Sequence, residues 1–393
     1  MDRFMGFRRQ DGRVGVRNCI AVIPSVFCAN HTAKIIAEQL EGAVVLRHPV
    51  GCGQVGYDFE LTARTLIAMG CHPNVGAVIV VGLGCERFSP DELYEGIKNT
   101  GKLVAKFVIQ EEGGTENTIK RAVAKGKEFE KMLKGYQREE CSFSELVIAL
   151  KCGGTDATSG LAANPSVGEV SDRVIAQGGS AILSELNELL GTEDILAKRA
   201  VSSQVGDKIY AAVSEIEGVL KNGCDLRFPG RNELISPGNF AGGVSSIVEK
   251  ALGGVHKSGS SPIVDVLQYA EPPKEGKKGL FLMDYESHDG EVVTGMIGCG
   301  AQVVLFTTGR GNPTGHPLAP VIKITGNDYT YENMKDNFDF NAGSIITKGI
   351  SVEESGKELY DLTLQIINGE KLTKAEQIGA DELFCIARRQ GGI

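Results

Sequence analysis

Val75-Gly76-Ala77-Val78-Ile79-Val80-Val81-Gly82-Leu83-Gly84-Cys85-Glu86 decides the fold class. A nearly unbroken run of small and β-branched apolar residues stops at a loop of glycine, cysteine and a carboxylate. A strand apolar on both faces belongs inside a parallel sheet covered by helices. The same grammar recurs on either side. Apolar runs at 19–24, 43–47 and 103–109 predict further strands, and 32–40, 60–69, 90–99 and 116–133 predict helices. This alternation predicts a Rossmann-like parallel sheet.

The polar segment 134–141 has no apolar period and is expected to be an inter-domain linker. Beyond it the alternation resumes. Strands are expected at 146–150, 180–183, 279–283, 303–306 and 321–324, and helices at 167–177, 208–220 and 353–367. A loop-rich middle carries Pro229, Pro237, Pro262, Pro272 and Pro273. The expectation is an α/β chain of two α/β domains, residues 1–138 and a larger catalytic domain, 139–393. Ligands of open α/β sheets bind at the carboxyl ends of the strands, so the loops there are the place to look for chemistry.

Composition narrows the function. With 393 residues, 42% hydrophobic and 23% charged, the chain has the balance of a folded protein. A net charge of -9 and a pI near 5.4, without a basic face, argue against nucleic-acid binding. No apolar stretch reaches the ~18 residues needed to cross a bilayer, and the polar start carries no visible export signal. The ten cysteines are therefore expected in a reducing cytoplasm, as free thiols, metal ligands or nucleophiles.

Four loops follow predicted strands: His48-Pro49-Val50-Gly51-Cys52-Gly53-Gln54, Gly82 to Glu86, Lys151-Cys152-Gly153-Gly154-Thr155-Asp156 and Thr307-Thr308-Gly309-Arg310-Gly311-Asn312. Three of them set a cysteine beside glycine, and Cys28 follows a strand as well. Thiolates suit iron or zinc, and three ligands leave a metal an open position. The alternative is that these thiols fill space, as free cysteine often does, since no CxxC pair is present. His48 is placed to be a base, or equally to cap a strand end. Asp156, Glu86 and Glu185 offer carboxylates, which otherwise serve as caps or surface charges. Arg310 could clamp a substrate carboxylate and Lys257 could pair with an acid, or both could be solvated cations.

Taken in order, these loops resemble the altronate/galactarate dehydratase family. The resemblance rests on Asp11 to Asn18, His48 to Gln54, Gly82 to Glu86, Lys151 to Asp156, Ser159-Gly160, Ala163-Asn164-Pro165 and Ser236 to Asn239. It continues through Glu249 to Gly253, Lys257-Ser258-Gly259 and Phe306 to Gly311, nearly the whole chain. It implies a carbon–oxygen lyase that turns a sugar acid into a 2-keto-3-deoxy acid. It also implies iron, as a ferrous ion or an iron–sulfur cluster, or manganese or another divalent metal. Many members carry a small N-terminal SAF-type domain that this sequence lacks, which implies a separate small subunit and a homo-oligomer of the large one. The related sulfolactate sulfo-lyase, which expels sulfite, shares that split arrangement. It is the alternative, although the cysteines at 28, 52, 85 and 152 resemble the dehydratases. Cys299 and the segment Met283 to Glu286 depart from the family pattern.

On this resemblance Cys52, Cys85 and Cys152 are expected to hold the metal, with Cys28 in reserve. His48 or Lys257 would take the proton from carbon 2, and Asp156 or Glu86 would assist departure of the carbon-3 hydroxyl. Arg310, Asn164, Ser159, Thr308 and Asn239 would hold the hydroxy acid. Two other classes compete: a cysteine-dependent hydrolase with His48 as base, and a regulatory subunit that binds a sugar acid without turnover.

Overall fold

Fourteen strands carry the described part of the chain, which in this computed structural model is residues 2–223 and 235–388. They are β1 (Arg3–Arg8), β2 (Val14–Gly15), β3 (Cys19–Pro24), β4 (Ala43–Val45), β5 (Val75–Gly82), β6 (Leu103–Val108) and β7 (Glu139–Ser142). They continue as β8 (Val147–Cys152), β9 (Ser180–Leu183), β10 (Ile263–Leu267), β11 (Gly279–Met283), β12 (Val303–Thr307), β13 (Val321–Thr325) and β14 (Phe340–Asn341). A four-stranded parallel sheet has the order β4-β3-β5-β6, and a seven-stranded one has the order β10-β11-β9-β8-β12-β13-β14, also parallel. The α/β class and the parallel sheets expected from the sequence are therefore present.

Alternation along the strands builds three apolar layers. Ile20, Val22, Ala77 and Ile79 face one side of the small sheet, under the helices Asn30–Glu38 and Thr115–Lys134. Ala21, Ile23, Val78 and Val80 face the other way. There they share one core with Ala149, Phe281, Val304 and Phe306 of the large sheet and with the helices Gly56–Cys71 and Asp289–Gly298. Ile148, Leu150, Leu282 and Leu305 point to the far side, under the helices Asn164–Ala176, Ser203–Gly223 and Val352–Ile367. Polar bonds reinforce the shared layer: His72 Nε2 meets Ala301 O at 3.0 Å, and Asn74 donates to Gln302 O at 2.9 Å and Leu318 O at 2.8 Å.

The structure corrects the expected linker. Its last residues, Glu139 to Cys141, belong to β7, which pairs antiparallel with β1 in a third, small sheet. Four residues, two of them exposed glutamates, are too short to show a period. The helix Asp289–Gly298 was also invisible to periodicity, because from Val292 to Gly298 every residue is buried. Gly295 lies so close to Tyr269 that a Cβ would sit 2.4 Å from its ring. Of the expected loop-rich middle, Pro229 lies outside the described residues; Pro237 starts a short helix, Pro237–Ala241. Among the described residues no helix is long and apolar enough to cross a membrane.

Candidate active site

Strand β8 runs between β9 and β12, so the chain leaves β8 toward one side of the sheet and later returns on the other. Such a point of divergence opens a crevice at the carboxyl strand ends. Here those ends carry Cys152, Glu185 and Thr307 with the loops that follow.

Two positions along β8 explain the first group. Lys151 shares the face of Ala149 and lies with its Nζ 5.3 Å from the Phe306 ring centre. Cys152 points to the opposite face. Lys151, Glu185 and Lys257 have side chains wholly shielded from solvent (0% exposed). Glu185 sits between the two lysines: one carboxylate oxygen pairs with Lys151, the other with Lys257 at 2.8 Å, and the latter also accepts from the Cys152 backbone N–H at 3.0 Å. Lys151 makes a further pair with Asp289 at 2.8 Å, and Glu188 pairs with Lys250 at 2.8 Å. Lys257 Nζ also donates to Cys152 Sγ across 3.1 Å. Three ammonium groups thus face three carboxylates, of which Asp289 is partly exposed, and the deeply buried charges persist only when so paired.

The pairing sets the ionisation. Burial alone would raise the Glu185 carboxyl, but Lys151 and Lys257 pull it down to about 2. Burial opposes the charge on both lysines. Glu185 and Asp289 nonetheless hold Lys151 above the usual lysine range, and Cys152 and Glu185 do the same for Lys257. The Cys152 thiol is pushed up to about 12, first by burial and then by Glu185. Glu185 itself holds a left-handed backbone conformation, φ 71°, unusual for a residue with a side chain. Strain of that kind collects where the surroundings fix a functional group.

The second group braces the loops beside this cluster. Gly154 O accepts from Gly309 N at 2.8 Å and from Thr308 Oγ1 at 3.2 Å, so the loops after β8 and β12 are stitched together. Asp156 Oδ1 accepts from Thr158 Oγ1, Ser159 N and Ser159 Oγ at 2.7, 3.1 and 3.2 Å, and its Oδ2 from Asn327 at 2.8 Å. A Cβ on Gly309 would sit 2.2 Å from the Asp156 carboxyl carbon, so only glycine fits there. Asn164 bridges Thr307 Oγ1 at 2.7 Å and Gly253 O at 3.0 Å, at a wide helical turn in which its N–H reaches back to Ser159 O. Asn239 accepts from Thr155 N at 2.7 Å. Of the five residues expected to hold substrate, Asn164, Ser159, Thr308 and Asn239 are buried braces. Arg310 is exposed, and among the described residues no ion pair reaches its guanidinium.

The other predicted groups lie on the small sheet. Cys28, Cys52 and Cys85 stand exposed on the loops after β3, β4 and β5. Among the described residues, the sets of three or more metal-binding side chains whose donor atoms approach within 4.8 Å are Cys152–Glu185–Glu188 and His288–Glu291–Cys385. Neither contains Cys28, Cys52 or Cys85. The expected joint metal site of Cys52, Cys85 and Cys152 is therefore not assembled: its members end different sheets. Cys152–Glu185–Glu188 offers a thiol and two carboxylates of the kind a metal takes, and an ion there would compete with the lysine ammoniums for both carboxylates.

His48 is not free to act as a base. Its Nε2 is bound to Pro24 O at 2.8 Å, its Nδ1 accepts from Val50 N at 3.2 Å, and burial lowers its pKa to about 4. Glu86 accepts from Ser25 Oγ at 2.5 Å and from the N–H groups of Leu83, Gly84 and Cys85 at 3.0, 2.7 and 2.9 Å, which organises its own loop.

Sequence reasoning assigned no role to Lys151, Glu188, Lys250, Asp289 or Lys323. Lys323, within the otherwise apolar strand β13, lies with its Nζ 3.9 Å from the Phe306 ring centre, on the same ring as Lys151. Burial pulls its ammonium down to about 7, and Asn312 Oδ1 at 3.3 Å and Thr314 Oγ1 at 3.4 Å are its polar contacts. A lysine inside an apolar strand was the available signal, since a buried cation demands a reason.

Residues 143–390 match the family model described as D-galactarate/altronate dehydratase, C-terminal, and residues 6–134 match D-galactarate dehydratase/altronate hydrolase, second domain. The (2R)-sulfolactate sulfo-lyase subunit beta of Chromohalobacter salexigens is 38% identical over 98% of this chain and 97% of its own. The altronate dehydratase of Bacillus subtilis is 36% identical over 93% of this chain and 74% of its own. The galactarate dehydratase (L-threo-forming) of Escherichia coli is 34% identical over 96% and 75%.

Proposed function

This chain belongs to the D-galactarate/altronate dehydratase family, and we propose that it is the catalytic chain of a sugar-acid hydro-lyase. The substrate is an aldonic or aldaric acid such as altronate or galactarate, and the product a 2-keto-3-deoxy acid. The observation that carries this is the convergence of Lys151, Lys257 and Lys250 on Glu185, Glu188 and Cys152 at the divergence point of the large sheet.

The chemistry asks for those charges. Removing the proton on carbon 2 of a carboxylate creates an enediolate, which must be met by positive charge as it forms. Lys151 and Lys257, held as ammoniums, suit that task and not that of the base. Lys323, whose amine is poised near neutrality, takes the proton. The carbon-3 hydroxyl leaves as water with a proton from a neighbouring acid, and the enol becomes the 2-keto-3-deoxy acid. Arg310 holds the distal end of the substrate, and Asp156 with its donors fixes the loop that carries it. Iron, manganese or another divalent metal remains part of this proposal as cofactor. Cys152, Glu185 and Glu188 would be the residues to hold it, where it would supply Lewis-acid stabilisation of the developing negative charge.

The proposal includes a cytoplasmic setting and a separate small subunit. In support of the subunit, a relative 38% identical over 98% of this chain is itself named as a subunit, the beta subunit of a sulfo-lyase. The hydrolase alternative loses support, because Cys152 is buried with a raised pKa and His48 has no free nitrogen. The test is turnover of altronate, galactarate and sulfolactate by the purified chain with a co-expressed small subunit, read as 2-keto acid and as sulfite. Keto acid from a sugar acid supports the hydro-lyase. Sulfite alone moves the chain to the sulfo-lyase reaction, and ligand binding without turnover to a regulatory role.

A further inference from the structure

One cluster of ligating side chains lies outside the lysine-rich site. His288, Glu291 and Cys385 each bring a donor atom within 4.8 Å of the other two. They come from distant parts of the chain. His288 precedes the helix Asp289–Gly298, Glu291 lies in its first turn, and Cys385 is on the segment that follows the last helix.

The fold holds that segment against the helix. Thr294 Oγ1 donates to Leu383 O at 2.8 Å and accepts from Cys385 N at 3.0 Å. Gly290 leaves the room: a Cβ there would come within 2.9 Å of the Cys385 Cβ. Tyr285 donates its hydroxyl to Glu291 Oε2 at 2.7 Å, a bond of the kind that orients a ligating carboxylate. Among the described residues no ion pair engages Glu291, in contrast to the lysine-bound Glu185 and Glu188. His288 is exposed and the other two are half-buried, so an ion reaches the set from solvent.

We infer that His288, Glu291 and Cys385 form a site for a borderline-soft divalent transition ion, of the zinc or ferrous class, with one coordination position left open. A thiolate, an imidazole and a carboxylate are the donors such ions take, and three protein ligands leave the fourth position of a tetrahedron to water or substrate. Tetrahedral ligands at the usual bond lengths stand roughly 3.3–3.8 Å apart, so a small rotation of the exposed His288 ring closes the set. The carboxylates of Asp289 and Glu291 offset the unfavourable effect of the helix start on a cation. Binding releases the Cys385 proton. It also fixes the C-terminal segment to the helix whose first residue, Asp289, pairs with Lys151. The inference rests on these donors alone and does not require the dehydratase reaction.

The experiment is a Co²⁺ titration of the chelator-treated, full-length chain, followed by the thiolate-to-cobalt absorption in the near ultraviolet. About one Co²⁺ per chain is expected to give that band, and Zn²⁺ should abolish it by displacement. The band should persist in Cys152→Ser, vanish in Cys385→Ser and weaken at least tenfold in apparent affinity in His288→Ala, whose exposed side chain tolerates truncation. Absence of the band in the unaltered chain, its loss in Cys152→Ser, or its survival in Cys385→Ser overturns the assignment.

Discussion

Lys257 donates to the sulfur of Cys152 across 3.1 Å while the same ammonium pairs with Glu185 at 2.8 Å. The thiol is thus a partner of the cation to which the proposed reaction assigns charge stabilisation. Cys152→Ser should keep the fold and retain measurable turnover, with kcat lowered. Lys257→Met leaves Glu185 with half its pairing in a dry site. Breaking a buried pair costs about 3–5 kcal/mol. Thermal unfolding and steady-state kinetics on the two variants check this, and equal loss of stability in both would refute it.

Glu185 carries a pH signature. Its folded pKa of about 2 lies below its ordinary value of 4.5. The stability it contributes is present above that ordinary value and is lost as pH falls from 4.5 toward 2. Glu185→Gln should lower stability at pH 7 and flatten the acid limb in this window. Urea midpoints between pH 7 and pH 3 measure both effects.

His48 should not titrate in the neutral range. Burial holds it neutral down to a pKa of about 4 from an ordinary 6.5, so protonation opposes folding and stability falls as pH drops from 6.5 toward 4. Imidazole resonances followed by NMR from pH 8 to pH 5 should leave this ring unprotonated. A midpoint near 6.5 would restore it as a candidate base.

Lys323 should appear in the rate profile. With a pKa of about 7 as free enzyme, kcat/KM is expected to rise through that pH as the amine loses its proton. Lys323→Met should remove that limb and lower kcat by about 10²–10⁴-fold, the usual weight of a general base. An unchanged limb in the variant assigns the ionisation elsewhere.

The loops after β8 and β12 allow a paired test. Arg310 is exposed, so Arg310→Ala should leave the melting temperature unchanged and raise KM about 10–100-fold, the worth of a charge-assisted bond. Gly309→Ala places a methyl 2.2 Å from the Asp156 carboxyl carbon and should cost about 1–3 kcal/mol of stability, with activity. Melting curves and KM for both variants separate binding from bracing.

Strands β3, β5, β8, β9 and β11 to β13 could be read from apolar runs because both of their faces are buried, which leaves long uninterrupted signals; β6 was legible from its apolar run although most of it is only half-buried. Strands β1 and β7 escaped because each is half-exposed and carries charged residues, and β7 pairs only with β1 at the edge of the small third sheet. The loops of the candidate site were legible as glycine-rich strand ends. The partnerships inside them were not. Lys151 and Glu185 are 34 positions apart, and Lys257 stands 105 from Cys152, so only folding shows which charge neutralises which. The choice for His48 between base and strand-end cap could not be made for the same reason: its two backbone partners, Pro24 and Val50, are brought together only by the fold.

The apolar layer shared by the two sheets has an evolutionary consequence. The segments at 6–134 and 143–390 match separate family models, as though interchangeable. Yet Ala21 and Val78 from one lie in the same core as Val304 and Met296 from the other. Neither segment could be exchanged or duplicated alone without baring that face to water, so the two must be kept compatible as a pair. A substitution in the helix Asp289–Gly298 is constrained by side chains contributed by both.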